Sequence, residues 1–282
     1  MTATIIDGQQ IAQNIRRQLK DKIDIISGKP QLDIILAGND YASEIYVRKK
    51  IQAAEEIGMI ANLHLLDAKV SDKHVMDLID DLNRDKKCNG IIVQLPLPSH
   101  LDTAAIINKI SPQKDVDGFH PYNTGLLQNN EKPYFVAATP LGIMELIKTQ
   151  CNELCGKNVV IIGASLIVGR PLATLMLNQE CTVSITHIHT KNIQELTAKA
   201  DILVAACGVA KLVKKEWIKS GAILIDVGIN RENGKLCGDI DFDDVIKKAG
   251  AITPVPGGVG PMTVAMLLKN TVDAYIFQTS LL

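Results

Sequence analysis

Short β-branched and aliphatic runs alternate along the chain with longer segments whose apolar positions recur at helical spacing. In the first half this rhythm predicts a helix at about 8–27, a strand at 31–38 and a helix at 40–58. A strand at 60–66 (IANLHLL), a helix at 71–84 and a strand at 90–98 (GIIVQLPLP) follow. The pattern then lapses between Ser111 and Ala138 into residues typical of loops, with Pro, Gly and Asn frequent. Thr139-Pro140 reads as an N-cap followed by proline at the first helical position, opening a helix TPLGIMELIKTQ.

The second half predicts strands at 157–163, 182–187, 201–207 and 222–228, with helices at 170–179, 193–200 and around Trp217 between them. A last helix at 262–277 follows a Gly/Pro loop. Short apolar strands separated by helices predict parallel sheets covered on both faces. The second half has the β-α-β-α-β order of a doubly wound nucleotide-binding domain. Trp217 is expected to pack rather than to act.

A length of 282 residues suits about two domains. The net charge of -1 gives no reason to expect nucleic-acid or acidic-membrane binding. No apolar stretch reaches the roughly 18 residues a membrane span needs, and no secretory signal pattern opens the chain. The six cysteines include one C-x3-C, Cys151 and Cys155, without a second pair to complete a metal site. A cytoplasmic protein with reduced thiols and no metal is the expectation.

Strand 157–163 ends in GASLIVGRP, a glycine turn leading into a helix N-terminus. Glycine lets the backbone approach a pyrophosphate, and free N–H groups at the positive helix end stabilise anionic oxygens. At the end of the next strand, Thr186 to Lys191 contain no carboxylate that would bind two ribose hydroxyls and repel a 2′-phosphate. That stretch is either a polar surface turn or a seat for NADP in preference to NAD. In the first half, Tyr46 and Lys50 lie one helical turn apart, at the margin of a stripe formed by Val47, Ile51, Ala54 and Gly58. Gln94 stands at the carboxyl end of a strand, where open α/β sheets bind ligands. Asp115 and Asp117 begin the long loop, and PVPGGVGP at 254–261 supplies exposed backbone. An amine, an amide, a carboxylate and a phenol ring suit a flat polar heterocycle.

The stretches YVRKK, GIIVQLPLP, KDVDGFHPYNTG, GASLIVGRP, IDVGIN and TPVPGGVGPMT occur in the order found in one family. By these the chain closely resembles bifunctional methylenetetrahydrofolate dehydrogenase/methenyltetrahydrofolate cyclohydrolase over nearly its whole length. The resemblance implies two folate interconversions in a shared cleft and a homodimer built through the nucleotide domains. It implies a folate-binding catalytic domain at 1–138, rejoined by a helix at about 264–282, and a Rossmann-like NAD(P)-binding domain at 139–263. It assigns catalysis and folate contact to Lys50, Tyr46, Gln94 and Asp117, with Pro256 and Gly257 beside the folate. It assigns cofactor contact to Gly163, Ala164, Ser165, Ile188 and Ile229. Two residues depart from the family: Ala164 where relatives have Arg, and Ile188 where they often have Ser or Arg. Both family residues suit a 2′-phosphate, which leaves His187, His189 and Arg231 as substitutes here. The competing readings are another NADP-linked dehydrogenase of the same layout and a nucleotide-sensing protein without catalysis.

Overall fold

The structure, a computed structural model, describes residues 2–38, 40–232 and 234–280. The chain forms two compact α/β units. One joins Gln13–Ala138 with the segment from Val264 onward; the other joins the segment up to Ala12 with Thr139–Thr263. The first residues thus differ from the expected division. Strand β1 (Thr4–Ile5) pairs in parallel with Ala251–Ile252 of the nucleotide-binding unit, a partner too distant for local pattern to show. Met1, Leu281 and Leu282 of the expected domain ranges lie outside the described residues.

After α1 (Gly8–Ile25), the catalytic unit runs β2 (Gln31–Ala37), α2 (Tyr41–Glu56), β3 (Ile60–Leu66), α3 (Asp72–Arg84) and β4 (Gly90–Val93). The strands make a parallel sheet in the order β3-β2-β4. Central β2 is buried at all seven positions, which explains its nearly unbroken apolar run. Ser71 caps α3, its hydroxyl accepting the His74 N–H, and the helix buries Val75, Ile79 and Leu82 along one face. Strand β4 stops at Val93, short of the expected 98. Pro96 and Pro98 have no N–H with which to extend the ladder.

Helix α4 (Thr103–Lys109) follows, then α5 (Pro121–Gln128), inside the segment expected to be loop. His120 caps α5 through Nδ1, and Pro121 enters its first turn. This short helix buries only Asn123 and Leu127, too little to give a periodic signal. Helix α6 (Ala138–Lys148) begins one residue before the expected cap, and the Thr139 hydroxyl meets that of Thr263 instead.

The nucleotide-binding unit continues with β5 (Asn158–Ile162), α7 (Gly169–Leu177), β6 (Thr182–Thr186), α8 (Ile193–Thr197), β7 (Ile202–Ala205) and β8 (Ile223–Asp226). A hairpin of β9 (Asn230–Glu232) and β10 (Lys235–Cys237), α9 (Phe242–Val245), β11 (Ala251–Ile252) and α10 (Val259–Thr279) complete the described chain. The six-stranded sheet has the order β1-β11-β8-β7-β5-β6 and is parallel throughout. Trp217, in a single 3₁₀ turn, packs against the apolar cluster of this unit.

Candidate active site

In the catalytic unit, Asp40 starts α2 by accepting the Ser43 N–H, and two turns later the helix presents Lys50. Lys50 Nζ donates to Gln94 Oε1 at 3.0 Å. Gln94 is fixed twice: its N–H bonds Ile35 O, and its side-chain Nε2 donates to Leu95 O at 2.6 Å. With the amide nitrogen so engaged, Oε1 is left to face the lysine. Tyr46, one turn before Lys50, is 40% exposed, large apolar surface open to a ligand.

The third member, Asp117, is held by a buried neighbour. Asp115 accepts N–H groups from Phe119 at 3.2 Å and His120 at 2.9 Å, and the Asn123 Nδ2 at 2.9 Å. Asn270 of α10 donates through Nδ2 to both Val116 O and Val136 O, clamping the chain on either side. Gly118 (φ +70) is required, because a Cβ there would lie 2.4 Å from the Val136 backbone. Loss of hydration raises the Asp117 carboxyl above its ordinary range, and the nearby Lys50 charge works the other way. Burial pushes the Asp115 carboxyl up to about 7, against the three donors that favour its ionised form. Lys50, Gln94 and Asp117 are therefore brought together, with Tyr46 on the helix that carries Lys50. Asp115 stood in the motif without a role. Asn123 and Asn270 were missed, since a lone asparagine gives no signal without its partners.

A cavity of about 640 Å³ lies at the other, amino-terminal ends of β2 and β4, against Gln31, Asn89, Lys114 and Gln278. It touches none of the residues expected in the site.

In the nucleotide-binding unit, Gly163 follows β5 with φ +115, and a Cβ there would come within 2.1 Å of Ala206 O. A Cβ at Gly169 would lie 1.8 Å from Gly163 O, so these two glycines let turn and helix pack against each other. Ser165 differs from the expectation that the helix N–H groups stand free. Its hydroxyl accepts from Val168 at 3.1 Å and Gly169 at 3.4 Å. Arg170 Nε donates to Ala164 O, closing the turn further. Ile188 is 93% exposed in the turn after β6, and Ile229 is 50% exposed after β8. Leu166 and Ile167 of the glycine turn are exposed too. So much open apolar surface at the carboxyl ends of these strands fits the flat faces of a dinucleotide. His187 and His189 share the Ile188 turn, the His187 Nδ1 accepting the His189 N–H. Pro256 and Gly257 lie between β11 and α10 in this same unit, where Gly257 O accepts the Gln9 N–H.

Comparisons with known proteins identify the family of the chain. Residues 6–117 match the catalytic-domain model of tetrahydrofolate dehydrogenase/cyclohydrolase. Residues 137–279 match the NAD(P)-binding-domain model of the same family. The bifunctional protein FolD of Aquifex aeolicus is 49% identical over 277 residues, 97% of this chain and 95% of that protein. The crystal structure of the bifunctional enzyme FolD from Campylobacter jejuni superposes with a TM-score of 0.96 at 44% identity, covering 98% and 99% of the two chains. The Trypanosoma brucei enzyme, crystallised with NADP cofactor and inhibitor, gives 0.94 at 39% identity, covering 99% of each. The chain thus belongs to the tetrahydrofolate dehydrogenase/cyclohydrolase family, with methylenetetrahydrofolate dehydrogenase and methenyltetrahydrofolate cyclohydrolase activities.

Proposed function

We propose that Lys50, Gln94, Tyr46 and Asp117 carry the folate chemistry and that NADP, rather than NAD, is the redox partner. The observation that carries this reading is the Lys50–Gln94 hydrogen bond, with the glutamine amide locked by Leu95 O, beside the Asp117 carboxylate.

In the dehydrogenase step, 5,10-methylenetetrahydrofolate loses a hydride from its one-carbon bridge and becomes the methenyl cation, whose charge the two flanking nitrogens share. Bound NADP supplies the hydride acceptor. The protein's task is alignment. Asp117 accepts N–H bonds from the pterin, a charge-assisted contact, while Tyr46 packs on the aminobenzoate. Gly163, Ala164 and Ser165 would hold the pyrophosphate of the bound dinucleotide, and Ile188 and Ile229 would hold its two ends.

Hydrolysis follows without redox change. The Lys50 amine, oriented by Gln94, acts as the general base and accepts a proton from the water that adds to the methenyl carbon. As the bond from that carbon to N5 breaks, the lysine returns its proton to N5. The remaining hydroxyl proton leaves to solvent, and the formyl group stays on N10. The product is 10-formyltetrahydrofolate.

A cytoplasmic homodimer completes the reading. The open sheet edge at β6, with Ile185 exposed, supports a dimer through the nucleotide-binding unit, and six free thiols suit a reducing compartment. Initial rates on methylenetetrahydrofolate with NADP and NAD at equal concentration test the cofactor assignment. A faster rate with NADP is expected; an equal or faster rate with NAD overturns it.

A further inference from the structure

Two buried carboxylates stand behind the carboxyl ends of β7 and β8, and the chemistry described above uses neither. Asp239 is fully buried. Its Oδ2 accepts the N–H groups of Cys207 at 2.7 Å and Gly208 at 2.9 Å, the second and third residues beyond β7. Its Oδ1 accepts from Asn230 Nδ2 at 2.8 Å. Asp226, the last residue of β8, accepts N–H groups from Gly228 at 3.2 Å, Asp239 at 2.8 Å and Ile240 at 2.9 Å. A Cβ at Gly228 would lie 2.1 Å from Asp239 Oδ1, and one at Gly238 would lie 1.8 Å from Asp226 Oδ2, so two glycines make room for the pair.

Burying two carboxylates side by side costs stability, offset by the main-chain N–H groups they accept. What they provide is position. Gly228 is tied to Asp226 and Asn230 to Asp239, so the intervening Ile229 is stretched between two fixed points with its side chain half exposed. The same Asp239 sets the Cys207–Gly208 turn, which begins just after Ala206, the residue in closest approach to Gly163.

Strand order decides which half of a dinucleotide these elements meet. The pyrophosphate turn follows β5, whose neighbours are β6 on one side and β7, then β8, on the other. In doubly wound sheets the adenosine ribose is read at the end of the strand after the phosphate turn, here β6. The nicotinamide half therefore falls over the ends of β7 and β8.

We propose that Asp239, backed by Asp226, is a positioning residue for the nicotinamide ring, acting through the Gly228–Asn230 main chain and the Cys207–Gly208 turn. It deepens the NAD(P) reading and rests on it. The test compares wild type with Asp239→Asn by three readouts. These are dehydrogenase turnover, cyclohydrolase turnover without any nicotinamide, and affinity for 2′-phospho-ADP-ribose, which is NADP lacking its nicotinamide. Dehydrogenase turnover is expected to fall about ten-fold or more, while hydrolysis and 2′-phospho-ADP-ribose affinity stay within about two-fold. Dehydrogenase turnover within two-fold of wild type overturns the proposal, and so does a parallel fall in all three, which marks a purely structural role. If Asp239→Asn does not fold, Asn230→Ala cuts a single arm of the clamp and is expected to give the same split. Failure of the wild type to bind either NADP or 2′-phospho-ADP-ribose sinks the cofactor reading itself.

Discussion

The two functional regions are built on opposite plans around a shared device. In the catalytic unit the proposed working groups are side chains: the Lys50 amine, the Gln94 amide and the Asp117 carboxylate. In the nucleotide-binding unit the proposed working surface is backbone and exposed apolar side chain, from the turn at Gly163 to the segment at Ile229. Both surfaces are held from behind by buried aspartates that accept main-chain N–H groups, Asp115 in one unit and Asp226 with Asp239 in the other. A loop can present a ligand-binding face without a regular ladder when a buried acceptor replaces the ladder. Chemistry needs specific side chains, whereas holding a cofactor needs close backbone approach.

Substitutions that separate the two plans sharpen the contrast. The largest effect is expected from Lys50→Met. Cyclohydrolase turnover, followed by methenyl absorbance without nicotinamide, should fall by about 10²- to 10⁴-fold, the usual worth of a general base. NADP affinity should hold. Hydrolysis at the normal rate would remove Lys50 from the mechanism.

The reverse pattern is expected from Gly163→Ala. The added Cβ meets Ala206 O in a backbone conformation with φ +115 that alanine rarely adopts. Strain of about 1–3 kcal/mol corresponds to NADP binding weakened by about ten- to a hundred-fold. Hydrolysis should change less than about two-fold. Isothermal titration with NADP checks this, and unaltered affinity would show that the turn is not the pyrophosphate seat.

The smallest effect concerns pH. Burial pushes the folded Asp115 carboxyl up to about 7, while an unfolded aspartate keeps its ordinary value near 3.8. Between these values the folded protein keeps a proton that the unfolded chain has lost. This group therefore makes stability fall as pH rises from about 4 to about 7, with no further change above. Asp115→Asn removes that contribution. Its melting temperature should decline less than that of wild type across the window, and parallel curves would contradict the shifted titration.

The sequence carried most of the fold. Strand β3 lies at its expected residues, and α3 differs by one at its start, because amphipathic period and caps are local signals. Helix α5 was hidden in a polar stretch, although His120 followed by Pro121 was a readable start. The pairing of β1 with β11 joins residues nearly the whole chain apart, beyond any local pattern. In the proposed site, Lys50 and Gln94 were legible as chemistry-bearing types at a helix face and a strand end. Asn270 was not, since its bonds to Val116 O and Val136 O span 154 and 134 positions.

By itself the sequence determined two α/β domains in succession, the glycine turn of the second, and the amine, amide and carboxylate of the first. Those follow from side-chain identity and short-range periodicity. Tertiary structure alone decided which aspartates are stripped of water to fix loops, which strand closes the large sheet, and that the Ser165 hydroxyl occupies helix N–H groups expected to be free. The physical reason is that desolvation and hydrogen-bond partnership depend on atoms supplied from elsewhere in the folded chain.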